Sequence, residues 1–116
     1  MSKLYNSLNS FKSEFNSNPD LVKLTEGWSP NLIVTSEDTE ETFTLSIKDC
    51  KISTIVSGRI EKDHQIAIEA EEDVLTNIFY GKSNPSKMVL DGLLQVFGSA
   101  FDQLKIDAIT LVMWGM

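Results

Sequence analysis

Residues 71–98 read EEDVLTNIFYGKSNPSKMVLDGLLQVFG, two glycine-punctuated helical units followed by a strand. Glu71, Glu72 and Asp73 put negative charge at a helix start, where the free backbone N–H groups favour it. Val74, Leu75, Ile78 and Phe79 then recur at helical spacing, and Gly81 stops the helix. Asn84-Pro85 opens a second, shorter helix, Ser86 to Asp91, because Asn caps well and Pro suits a first turn. Gly92 ends it. Leu94 and Val96 follow as one face of a strand, and Gly98 turns the chain into a last helix.

Upstream of this stretch the period changes from helical to two. Phe43, Leu45 and Ile47 alternate with Thr44, Ser46 and Lys48, as a half-buried strand requires. Lys48-Asp49-Cys50-Lys51 is a tight turn, and Ile52, Thr54 and Val56 form the matching face of a return strand. Leu32, Ile33 and Val34 make a buried strand before the polar connection Ser36 to Thr42, and Ile66 and Ile68 supply a fourth within Gln65 to Ala70. At the N-terminus Leu4, Leu8, Phe11 and Phe15 form one helical stripe. Asn18-Pro19 predicts a short second helix, Asp20 to Glu26, ending at Gly27.

In order, these elements are helix, short helix, four strands, two helices, strand, helix. Strands in a run, without alternating helices, predict an α+β domain: a five-stranded, mainly antiparallel sheet with helices packed on one face. The 116 residues predict one domain, 1–116, with no linker or repeat. A hydrophobic fraction of 41% is enough for a core, well above the disordered range.

Charge and composition exclude several functions. A net charge of −7 argues against nucleic acid, which is bound by Lys and Arg, and against electrostatic docking on anionic membranes beyond transient contact. The single Cys50 cannot form an internal disulfide and fits a reducing compartment. The first fifteen residues have no apolar run of the signal-peptide type, so the expected location is cytoplasmic. His64 is the sole histidine, and neither a histidine zinc site nor a triad can be built on it. It is expected at the surface. The acidic runs at 37–41 and 69–73 read as a solvated loop and a helix start rather than metal sites, and no glycine-rich phosphate loop is present. No catalysis and no cofactor are expected.

The last helix, Ser99 to Trp114, is unusual. Asp102, Gln103, Lys105 and Asp107 are available to face water, but beyond Asp107 only Thr110 is polar. A helix apolar all round must be covered on more than one side.

The order Leu…Gly-Lys…Asn-Pro…Lys…Gly-x-Leu-x-Val-x-Gly, carried by Gly81, Pro85, Gly92, Leu94, Val96 and Gly98, resembles the sterol-carrier-protein type 2 domain, also called the non-specific lipid-transfer domain. The resemblance runs best over Thr42 to Trp114. It implies reversible binding of an apolar ligand (a fatty acid, acyl chain or sterol-like molecule) in a tunnel beneath the last helices. Phe79, Met88, Phe101, Leu104, Ile109 and Met113 are the apolar residues expected on its wall, with Leu104, Ile109 and Met113 gating it and Arg59 available for an anionic head group. The plain alternative is that these six pack against one another. The sequence departs from the family at Asp49-Cys50, where Asp-Gly is common. It departs again at the intervening strand positions Leu93, Gln95 and Phe97, usually polar or charged, of which two, Leu93 and Phe97, are apolar here. A strand apolar on both sides calls for a cover, either a two-fold homodimer or the N-terminal helix. A rival function is therefore a non-enzymatic dimerisation module with a filled interior. A cavity of several hundred Å³ favours carriage, whereas a filled core with an exposed apolar patch favours assembly.

Overall fold

The strands pair as their alternation requires, in an order that sequence periodicity does not display. The computed structural model describes residues 2–116. Strands β1 (Asn31–Ser36), β2 (Thr42–Lys48) and β3 (Lys51–Ser57) form an antiparallel meander. β1 also pairs in parallel with β4 (Gln65–Ala70), and β5 (Leu94–Phe97) lies antiparallel to β4. The resulting order is β3-β2-β1-β4-β5, a mixed but mainly antiparallel sheet.

β3 runs parallel to β4, so the chain must return from one end of the sheet to the other between them. Residues 58–64 do this across the outer face, over β2 and β1. Thr44 is the anchor: its hydroxyl donates to the Gly58 carbonyl (2.8 Å) and accepts from the Ile60 N–H (3.0 Å). The Asn31 amide donates to the Ile60 carbonyl. Ile33, Thr44 and Ala67 are buried, Thr44 beneath this crossing.

The helices α1 (Lys3–Ser17), α2 (Leu21–Thr25), α3 (Glu72–Phe79), α4 (Pro85–Leu90) and α5 (Ala100–Trp114) cover the inner face. Leu4, Leu8, Phe11 and Phe15 of α1 form one core with Leu32, Val34, Leu45, Ile66 and Ile68 of the sheet. Each helix end has a local cause. Asn84 accepts from the Ser86 N–H and caps α4. Asp38, in the β1–β2 connection, accepts from the Glu72 N–H at 2.8 Å and so caps α3 from a distant part of the chain. That backbone hydrogen bond, with one from Ser36, holds the Asp38 carboxyl below the usual carboxylate range. The residue was expected merely to be solvated.

α2 starts at Leu21, inside the expected Asp20 to Glu26, because the Asn18 side chain accepts from the Asp20 N–H and holds a turn there instead of capping a helix. The β2–β3 turn has positive φ at Asp49 (52°) and Cys50 (65°), the geometry of a two-residue hairpin loop. Cys50 thus sits where glycine would be unstrained, and its thiol lies 3.3 Å from the Val22 carbonyl.

Candidate functional site

α5 is fastened at both ends and spans an apolar void between them. At its N-terminal end Ser99 caps the helix, accepting from the Asp102 N–H. Asp102 itself is turned inward and only 4% exposed. Its carboxylate accepts from the Trp28 indole N–H at 2.8 Å and lies 3.0 Å from the His64 Nε2 through both oxygens. Burial pushes the Asp102 carboxyl up, but the bonds from Trp28, His64 and Ser99 together outweigh it and hold it below the usual range. The expectation that Asp102 faces water is therefore corrected, and His64, expected to stand alone, has a partner. The pair ties α5 to the loops entering β1 and β4.

At the C-terminal end the Trp114 indole N–H donates to the Glu14 carboxylate at 2.8 Å. The ring packs on Phe11, with centroids 5.9 Å apart, and beside Gly81. A Cβ on Gly81 would meet the indole at 2.7 Å. Gly81 also has φ +78°, so both the conformation and the close approach require glycine there.

Beneath the helix is a void of about 50 Å³ with an apolar wall, lined among others by Phe11, Trp28, Leu32, Phe79, Ile109 and Trp114. It shares Pro85, Val96 and Ile106 with an open groove of about 270 Å³ between α4, β5 and α5, where Val89 and Leu90 form one rim and Gln103 and Asp107 the other. Pro85, Val96 and Ile106 separate the inner space from solvent. An apolar cavity of about 150 Å³ is known to take up a single benzene ring, and this void is about a third of that, so in this state it holds no lipid chain.

Of the six residues expected on the wall, Phe79 and Ile109 line the void. Met88 and Met113 are partly buried against the core without lining it. Phe101 (62% exposed) and Leu104 (68% exposed) point to solvent, because turning Asp102 inward rotates their side of α5 outward. Leu104 is therefore no gate. Arg59 lies in the crossing over the outer sheet face, paired with Glu61 at 2.6 Å, and not at the groove. The outer side of β5 is covered neither by α1 nor by any other helix, and Phe97 is exposed there.

Ile106, Trp114, Trp28 and Phe11 were not singled out from sequence. A helical stripe marked Phe11 as core, but nothing local connects it with Trp114. One signal was available: Ser99 and Asp102 have the spacing of a helix-capping pair. Such pairs are read as surface features, which hides the inward turn.

No family model and no curated protein matches the sequence. Solved structures do match the fold. The solution structure of the sterol carrier protein domain 2 of Helicoverpa armigera superimposes with a TM-score of 0.74 at 15% identity, covering 98% of this chain and 90% of that one. A Thermus thermophilus protein described as possibly a sterol carrier protein gives 0.63 at 14% identity, with 95% and 82% covered. A stereoselective inverting sec-alkylsulfatase from a Pseudomonas species gives 0.63 at 14% identity. There 79% of this chain matches, and the chain spans only 14% of the enzyme's length. The chain has the sterol-carrier-protein 2 fold. At these identities the likeness is one of architecture.

Proposed function

We propose that the protein is a non-enzymatic carrier that takes up one apolar chain between α5 and the inner sheet face. One observation carries this reading: an apolar-walled void and a solvent-open groove lie back to back, sharing Pro85, Val96 and Ile106 as the wall between them. A ligand chain lying in the groove and displacing Ile106 would join the two spaces. Burial of its surface would favour binding by roughly 25 cal/mol per Å² before association costs. The lining offers no chemistry. Thr110, its one hydroxyl, donates to the Asp107 carbonyl within the helix. The ligand class is set by the wall: an acyl chain or sterol-like hydrocarbon, with any polar head group left at the groove mouth beside Gln103 and Asp107.

A second reading has an observation of its own. The void is small and α5 exposes large apolar residues, which suits an assembly module with a filled interior. Native mass spectrometry of protein purified from its expressing cells separates the two. Carriage predicts an extra mass of a few hundred daltons that is lost on denaturation. Substituting Ile106→Trp, which fills the passage, should then abolish uptake of a dansyl-labelled fatty acid while the fold, read by circular dichroism, stays intact. A clean dimer without adduct, and a probe that never binds, would replace the carrier reading with the assembly one.

A further inference from the structure

The outward side of α5 carries Phe101, Leu104, Leu111 and Val112, all exposed, along nearly the whole helix. Positions 101, 104, 108 and 111 repeat at three and four, so the stripe is straight and continuous. It runs opposite the face that covers the void, which makes α5 apolar toward both the core and the solvent. Beside it, across the groove, Leu90 of α4 stands 86% exposed. A protein of this size exposes scattered leucines as a matter of course, but a continuous stripe joined to a groove marks a contact surface.

The charge distribution indicates the occupant. Residues 80–116 carry Lys82, Lys87 and Lys105 against Asp91, Asp102 and Asp107, so the whole excess of −7 lies in residues 1–79. Each of the three aspartates near the stripe already has a partner: Asp91 accepts from Lys87, Asp107 from Ser86, and Asp102 is buried against Trp28 and His64. The Lys105 ammonium lies 5.0 Å from the Phe101 ring centroid, at the edge of the stripe. The segment that carries the stripe is thus electrically balanced, in a chain that is otherwise strongly acidic, although Glu14 of α1 reaches its far end at Trp114. An anionic surface would repel that chain, and a neutral apolar phase would accept the stripe.

We propose that the outward stripe of α5, with Leu90, docks the protein on a zwitterionic lipid bilayer. In that pose the α4–β5–α5 groove opens onto the bilayer, and a chain can pass from acyl phase to void without crossing water. The inference rests on the carrier reading for its purpose, but not for its test. Flotation with phosphatidylcholine vesicles should capture the wild-type protein, and equimolar phosphatidylcholine/phosphatidylglycerol vesicles should capture it less well. The double substitution Phe101→Asp/Leu104→Asp, at exposed positions outside the void lining, should lower vesicle affinity by about a hundredfold. Leu111→Asp should weaken it independently. Uptake of dansyl-labelled undecanoic acid in solution should be unchanged in both variants. Wild-type protein that ignores phosphatidylcholine vesicles, or variants that bind them equally well, would overturn docking. So would stronger capture by the anionic vesicles. A wild-type dimer that the double variant makes monomeric, with no vesicle binding, would assign the stripe to a second copy of the chain instead. Loss of probe uptake in the wild type with vesicle capture intact would remove the carrier reading and leave the docking surface standing.

Discussion

Gly81 and Asp102 decide where α5 lies, one at each end. Gly81 combines a left-handed backbone with the notch that receives Trp114. Gly81→Ala is expected to destabilise the fold by roughly 2–4 kcal/mol, from backbone strain plus a displaced indole, read as a lower urea midpoint at unchanged slope. Asp102 is a buried acceptor for an indole and an imidazole. Asp102→Ala would leave the Trp28 N–H without its acceptor, at about 2–3 kcal/mol. Its pH dependence follows from the depressed carboxyl. The stabilisation is fully present above the ordinary carboxylate value of about 4 and is lost as pH falls through the lower folded value. Urea titrations should therefore show wild type and Asp102→Asn differing most near neutrality and converging as the pH is taken below that range. A gap that stays constant to low pH would show that Asp102 titrates as it does in the unfolded chain.

Elements differ in how completely the chain around them explains them. α3, α4 and β5 lie close to where Glu71–Gly98 puts them, because their caps, breakers and periods are local. β3 is different. It is an edge strand, and the Asn16 side chain of α1 acts as its missing neighbour, accepting from the Ile52 N–H (2.8 Å) and donating to the Ile52 carbonyl (3.0 Å) beside a register shift at Ser46/Ile47. Asn16→Ala should cost about 1–2 kcal/mol and speed exchange of the Ile52 amide, which hydrogen-exchange NMR reads residue by residue. α5 was expected to be apolar all round and to need a second cover. It does carry apolar residues on both sides, but its one inward acid fixes which of them line the interior. Because its middle rests on a void and its ends on a few polar contacts, amides of α5 should exchange faster than those of the central strand β1. Bound lipid analogue should slow α5 selectively. Equal protection of α5 and β1, with or without analogue, would contradict the motion that uptake needs.

At the scale of the whole molecule, the sheet order and the two faces of α5 are the consequential facts. The parallel pairing of β1 with β4 sends residues 58–64 over the outer face, so Arg59 rides on the side away from the groove. That one topological step removes the only arginine from any role at the groove mouth. Among the described residues no helix is long and apolar enough to cross a membrane. The sequence by itself determined the element types, the turns at Asp49-Cys50 and Gly81, the α+β class and the acidic balance, since each depends on period, cap or composition within a few neighbouring residues. Only the tertiary structure decided which side of α5 faces inward, that Asp102 joins Trp28 and His64 across 74 and 38 positions of chain, and that the interior closes to about 50 Å³. Helical periodicity places residues on a face but does not say which face is turned to the core when both are apolar. That choice is made by the fit of a few distant partners.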